Sequence, residues 1–140
     1  MANEIENTDT PELDYTDDMQ NLVAFDFDGV IHWYSKGWQG TTNIYDPPVP
    51  GIYPALKDLK FLGYHICIYS SRAKTEAGRE AIKEWLEKND LDQFIDFVTH
   101  EKPPALCYVD DRAIPFKGKT KTLVADITKF RSWCEPKGQE

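Results

Sequence analysis

Short apolar runs that alternate with helical patterns constrain the fold of this chain more than any other feature. Strands are predicted, in chain order, at residues 21–25, 65–69, 97–99, 105–109 and 123–125. Helices are predicted over residues 53–62 and 76–88, and after 125 through about Trp133. Strands and helices in alternation are typical of an α/β protein with a parallel sheet and helices on both faces.

The length and the charge distribution predict one domain behind an acidic tail. The chain has 140 residues, which suits a single domain. Its net charge is −8, but residues 1–20 hold seven acidic residues and no basic one. Residues 21–140 are therefore nearly neutral. We expect residues 1–20 to form a flexible tail and residues 21–140 to form the domain. The overall acidity argues against a general polyanion-binding surface.

The sequence also favours a cytoplasmic protein that does not cross a membrane. The amino terminus lacks the basic start and long apolar run of a signal peptide, and no stretch approaches the ~18 apolar residues of a membrane span. Cys67, Cys107 and Cys134 have no metal-ligand spacing. Because Cys67 and Cys107 lie inside strand-like runs, we expect both to be buried free thiols.

Polar residues follow the predicted strands at the points where ligands bind in parallel α/β sheets. They comprise four carboxylates, a hydroxyl and an ammonium: Asp26, Asp28, Asp110, Asp111, Ser70 and Lys102. Carboxylates crowded into one pocket repel each other and lose hydration, and a divalent cation together with Lys102 would offset both effects. Hard oxygen ligands with open positions for water favour Mg²⁺.

Such a pocket suits phosphoryl transfer. A carboxylate beside Mg²⁺ can attack phosphorus, because the cation and Lys102 reduce the repulsion between two anions. Asp28 could protonate the leaving oxygen and later deprotonate a water. Ser70 could donate a hydrogen bond to a phosphoryl oxygen, although Ser71 is its neighbour and competitor. The expected reaction is hydrolysis in two steps through an aspartyl phosphate.

These residues resemble the four motifs of the haloacid dehalogenase (HAD) superfamily, in the same order and strand context. Asp26-Phe27-Asp28-Gly29-Val30 resembles the first motif; the other three match at Ser70, at Lys102 and at Asp110-Asp111. The chain is also similar to small HAD-like hydrolases of bacteria and phages. The resemblance implies a three-layer, Rossmann-like fold, Asp26 as nucleophile and Asp28 as acid/base. It further implies Mg²⁺ held by Asp26, the backbone carbonyl of Asp28, and Asp110. Asp111 would bind the metal through water or orient Lys102.

Residues 31–50 form an insert rich in aromatic residues, glycine and proline. We call it the insert. It is long enough for a flap but too short for a cap domain, so the resemblance implies a capless member with an open site. Open sites admit large substrates or are covered by a second copy of the chain. His32, Lys36 and Arg72 are candidate substrate contacts. Packing is the competing interpretation for the insert, and a salt bridge or solvent exposure for Arg72.

The first hypothesis is a Mg²⁺-dependent phosphomonoester hydrolase acting on a phosphorylated small molecule. A nucleotide or polynucleotide end-processing phosphatase, whose substrate is an oligonucleotide end, is the alternative among enzymes. A non-catalytic phosphate-binding protein with the same fold belongs to a different class. A receiver domain of a signalling system is rejected. It would have an acidic pair after the first strand and a lone Asp after the third, whereas this chain has Asp26-x-Asp28 after the first strand and the pair Asp110-Asp111 late in the sequence.

Overall fold

The structure is a computed structural model that describes residues 19–133. Its strands are β1 (Leu22–Asp26), β2 (His65–Tyr69), β3 (Phe97–Thr99) and β4 (Cys107–Val109). Its α-helices are α1 (Ile52–Phe61), α2 (Glu76–Lys88) and α3 (Leu123–Thr128). Short 3-10 turns span Met19–Asn21, Ser71–Lys74 and Asp92–Phe94. The predicted acidic tail up to residue 18, and Cys134, lie outside the described residues.

All four strands run parallel in the order β3-β2-β1-β4. The chain moves outward from β1 through β2 to β3, and then returns to place β4 on the other side of β1. The direction of the strand order therefore reverses between β1 and β4, and the crevice for ligands in such sheets opens at this switch point. The sequence-based prediction of an α/β protein with a parallel sheet is confirmed.

The main core lies on one face of the sheet, where α1 and α2 both pack. Val23 and Phe25 point to this face from β1 because side chains alternate along a strand. Leu56 of α1 and Ile82 of α2 complete it with other buried apolar residues. The hydroxyl of Thr75 caps α2 by accepting a 3.0 Å hydrogen bond from the Gly78 amide.

The second face of the sheet carries a smaller buried cluster formed by Leu22, Ala24, Cys67, Tyr69 and Phe97. No helical residue of the described range belongs to that cluster, so the expected helical layer on this face is not seen there. The third helix, α3, has only six residues and buries none of them. A helix of fewer than two turns cannot present a continuous apolar stripe to a sheet.

The last third of the described chain differs from the sequence-based expectation. The strand predicted at 123–125 is wrong, because Leu123–Thr128 is helical. The run at 105–109 was expected to be buried, but β4 is an edge strand and its three residues are exposed. Cys107 is consequently exposed, whereas Cys67 is buried, and burial raises the pKa of the Cys67 thiol to about 12. An apolar run alone does not distinguish an edge strand from a central one.

None of the helices in the described range combines the length and apolar character needed to cross a membrane.

Candidate metal centre and active site

Three carboxylates meet at the switch point of the sheet. Asp26 is the last residue of β1, and Asp110 and Asp111 directly follow β4. Because these strands are neighbours in register, their carboxyl ends lie side by side. One oxygen from each carboxylate lies within 4.8 Å of one from each of the others. Residues 84 positions apart in the sequence therefore form one acidic cluster, which we call the carboxylate cluster.

The electrostatics of the carboxylate cluster favour either a shared proton or a cation. Burial raises the pKa of Asp26 to about 8, although the Phe27 amide donates a 2.8 Å hydrogen bond to its Oδ1 and acts in the opposite direction. A hydrogen bond with the Asp111 side chain and the charges of Asp110 and Asp111 contribute to the same shift, after burial. Two carboxyl groups can be hydrogen-bonded only if one carries a proton.

Two hydroxyl groups orient the carboxylate cluster. Tyr69, the last residue of β2, donates a 2.7 Å hydrogen bond from its hydroxyl to Asp110 Oδ2. Ser132 donates a 2.9 Å hydrogen bond to Asp111 Oδ2. Burial, followed by the bond to Asp110, raises the pKa of Tyr69 far above its usual range, so the phenol remains a donor. Neither Tyr69 nor Ser132 is among the site residues predicted from the sequence; the one available signal is that Tyr69 directly precedes Ser70 at the end of β2.

Lys102 lies beside the carboxylate cluster but does not pair with it. Its ammonium nitrogen is 4.6 Å from the ring centroid of Tyr108 and 5.5 Å from that of Tyr69. These are cation–π distances. The lysine side chain is exposed. Lys102 therefore contacts the ring of Tyr69, and the hydroxyl of Tyr69 in turn binds Asp110. The lysine is linked to the carboxylate cluster through Tyr69.

Asp28 is not one of the three carboxylates of the cluster, and its carboxylate is bound by Arg72 and His32. Arg72 Nε lies 2.9 Å from Asp28 Oδ2 and 3.2 Å from Oδ1. The ring nitrogen Nδ1 of His32 lies 2.8 Å from Asp28 Oδ1. Both His32 and Arg72 are completely buried, and the Asp28 side chain is 16% exposed. The sequence left substrate contact, a salt bridge and solvent exposure open for Arg72; the structure contains the salt bridge, and the side chain is not exposed to solvent.

Ser70 is buried at the end of β2 and begins the 3-10 turn that follows. Its Oγ accepts a 3.1 Å hydrogen bond from the Arg72 backbone amide. Its own amide donates to the Thr99 carbonyl of β3 at 3.0 Å. The Ser70 hydroxyl thus serves as an acceptor in a turn, while its hydrogen remains available for donation.

The aromatic rings of the insert pack mainly on the body and on one another. The His32 ring lies within 5.8 Å of the rings of Phe27, Tyr34, Tyr45 and Trp85. The Lys36 ammonium lies 5.5 Å from the centroid of the Tyr45 ring and is exposed. Trp38 is the most exposed of these rings, at 52%, and it covers the Arg72 guanidinium at 4.8 Å.

The end of the described chain returns to the first motif. The indole nitrogen of Trp133 donates a 2.9 Å hydrogen bond to the Gly29 carbonyl, and its ring packs edge-on against Trp33 of the insert. Gly29 has a φ of 85°, a conformation that glycine adopts at little cost, and this turn carries the chain from β1 into the insert. Residues 112–131 therefore leave the carboxylate cluster at Asp111 and come back to it at Ser132.

The donor set of the carboxylate cluster fits a hard divalent cation. Three carboxylates supply oxygen ligands, which suit Mg²⁺, Ca²⁺ and Mn²⁺ better than softer metals. Burial and the charges of Asp110 and Asp111 raise the pKa of Asp26, and a cation bound among the three carboxylates would act in the opposite direction.

Comparisons with protein families, with curated proteins and with solved structures find no match for this chain.

Proposed function

We propose that this protein is a Mg²⁺-dependent phosphomonoester hydrolase in which Asp26 is the nucleophile. The observation that carries the proposal is the convergence of Asp26, Asp110 and Asp111 at the switch point of a parallel sheet. This is where α/β proteins of this architecture place their ligands. Asp26 and Asp110 would hold the cation, and Asp111 would contribute directly or through water.

A bound Mg²⁺ would neutralise the cluster and polarise a phosphoryl oxygen. In the first step an oxygen of Asp26 forms a bond to phosphorus while the bond from phosphorus to the leaving oxygen breaks. In the second step water attacks the aspartyl phosphate, the bond to Asp26 breaks, and inorganic phosphate leaves. Ser70 has a hydroxyl hydrogen to donate to a phosphoryl oxygen.

Asp28 is the group assigned to proton transfer. Protonated Asp28 gives its proton to the leaving oxygen, and the resulting carboxylate takes one from the attacking water. Asp28 accepts hydrogen bonds in its contacts with Arg72 and His32. A carboxylate that accepts is the form that takes the proton from water in the second step. Lys102 would approach the phosphate from its position over Tyr69 and Tyr108.

The test is hydrolysis of an aryl phosphate in the presence of Mg²⁺. Asp26→Asn should abolish turnover, at least about 10³-fold, because an amide is a poor nucleophile and a weaker ligand. Asp58→Asn, which changes an exposed acidic residue of α1, is the matched control and should retain full activity. EDTA should stop the reaction and Mg²⁺ should restore it. Phosphate binding without turnover in the wild type would instead support the non-catalytic alternative.

One observation favours an oligonucleotide end as the substrate. Residues 112–131 contain a single acidic residue, Asp126, among six exposed basic ones: Arg112, Lys117, Lys119, Lys121, Lys129 and Arg131. This basic segment begins and ends at the carboxylate cluster. A chain of phosphates leading away from the reacting end would meet it, whereas a small sugar phosphate would not.

A further inference from the structure

We propose that Arg72 is a positioning residue that couples the placement of Asp28 to the placement of the insert. The catalytic part of this inference rests on the function proposed above. The structural part, that Asp28 and the insert are held as one unit through Arg72, can be tested independently of any activity.

Arg72 connects the two parts directly through its guanidinium group. Nε binds the Asp28 carboxylate at 2.9 Å, while Nη1 donates to the backbone carbonyls of Gly40 and Thr41 at 2.8 and 2.7 Å. The Trp38 ring covers the same group at 4.8 Å. Since the guanidinium is planar and rigid, a shift of these carbonyls changes the direction from which Nε reaches Asp28.

His32 provides a second connection between the insert and Asp28. Its Nε2 accepts a 3.1 Å hydrogen bond from the Asp46 amide, so the hydrogen of the neutral ring is on Nδ1. Nδ1 then donates to Asp28 Oδ1. Trp85 of α2 donates from its indole nitrogen to the Asp46 carbonyl at 2.9 Å, which fixes that part of the insert to the body. Asp28 is therefore held by groups that depend on both halves of the insert.

The backbone of Arg72 has little freedom to adjust. Its amide donates to Ser70 Oγ, and Gly78 of α2 lies directly against its carbonyl. A Cβ atom at Gly78 would come within 1.8 Å of the Arg72 carbonyl oxygen and 2.9 Å of Thr41 Cγ2. Only glycine allows α2, the Arg72 turn and the insert to meet there.

The remaining nitrogen of Arg72 suggests that the unit also contacts a ligand. Nη2 is buried and has no hydrogen-bond partner within the described structure. Buried polar groups nearly always have a partner, and an exception needs a specific reason. An acceptor oxygen of the substrate that enters beside Asp28 would satisfy this donor. Arg72 would then respond to occupancy of the site as well as to the position of the insert.

The experiment compares Arg72→Lys and Asp28→Asn with wild type by amide hydrogen exchange and by kinetics with an aryl phosphate. Lys74→Gln, which changes an exposed cation of the same 3-10 turn, is the control. A lysine keeps the charge but cannot bind Asp28 and two carbonyls in one plane. We expect exchange of the insert amides 40–46 to become about tenfold faster in both variants, with the β2 amides unchanged. Lys74→Gln should leave the exchange of both the insert amides and the β2 amides unchanged.

In the kinetic arm, Arg72→Lys should lower kcat by about 20-fold or more because Asp28 is no longer positioned, and should raise KM by about threefold or more because the Nη2 contact with the substrate is lost. If the insert amides of the Asp28→Asn variant exchange at the wild-type rate, the inference is overturned. Asp28→Asn alone decides whether Asp28 and the insert are coupled if Arg72→Lys does not fold. If wild type hydrolyses no phosphate ester, the proposed function fails, and the exchange data still decide the structural coupling.

Discussion

The hydroxyl of Tyr69 reaches from β2 past the end of the central strand β1 and donates a 2.7 Å hydrogen bond to Asp110 Oδ2, beyond β4. The same ring lies 5.5 Å from the Lys102 ammonium. Tyr69 thus links the two outer contributors to the site, an acidic residue and a basic one. A comparison of motifs overlooks Tyr69, because the motif residue at this point is Ser70, which directly follows it.

The first prediction is that Tyr69→Phe weakens binding of Mg²⁺ without changing the fold. Asp110 would lose the donor that orients it, and the loss of such an outer contact lowers metal affinity by roughly 10-fold or more. Isothermal titration calorimetry with Mg²⁺ measures the change, and circular dichroism checks the fold. Tyr53→Phe, on the exposed side of α1, is the matched control. Equal affinities of wild type and Tyr69→Phe would show that this hydrogen bond does not orient a ligand.

The second prediction concerns the pH dependence of stability in the absence of divalent cations. Burial raises the pKa of Asp26 to about 8, whereas in the unfolded chain it returns to about 4. Between these values the folded protein binds a proton that the unfolded chain does not. The free energy of unfolding should therefore be highest at the low end of this window, and should fall as the pH rises through it to about 8.

Urea unfolding of wild type and Asp26→Asn between pH 5 and pH 9 isolates this contribution, because other titrating groups affect both proteins. The difference in the free energy of unfolding between the two should change with pH in the direction stated. Saturating Mg²⁺ should remove the dependence by displacing the shared proton. Parallel pH profiles for the two proteins would mean that Asp26 carries no proton in the folded state.

Much of the framework could be predicted from the sequence because it depends on local patterns. The strand His65–Tyr69 and the helix Glu76–Lys88 have the predicted bounds, since an apolar run and a capped amphipathic repeat identify them. The meeting of Asp26 with Asp110 and Asp111 also follows from parallel topology.

The environment of Asp28 could not be predicted. Its main partner, Arg72, is 44 residues away in the sequence and is completely buried. Arginine is almost never fully buried unless it is paired, and the sequence does not show the pairing. The exposure of β4 was missed for a related reason: the position of a strand within a sheet depends on long-range pairing, not on its composition.

The third prediction tests the basic segment of residues 112–131 as a contact for a phosphate chain. A single-stranded 3′-phosphorylated oligonucleotide bound by several lysines releases counterions, so its KM should rise with salt. Substituting glutamine for Lys117, Lys119 and Lys121 together should raise that KM by about tenfold at low salt. The slope of log KM against log salt should also fall by roughly two. Each phosphate contact on a single strand contributes about 0.7 to this slope, and three contacts are lost.

The aryl phosphate is the internal control for this prediction, because it has no phosphates beyond the reacting one. Its kcat and KM should change by less than about twofold in the triple variant, and Lys57→Gln on the exposed side of α1 should affect neither substrate. If the triple variant impairs both substrates equally, the segment supports the site structurally. If the oligonucleotide KM is independent of salt in wild type, its phosphate chain does not contact the segment, and a small phosphorylated molecule becomes the better substrate.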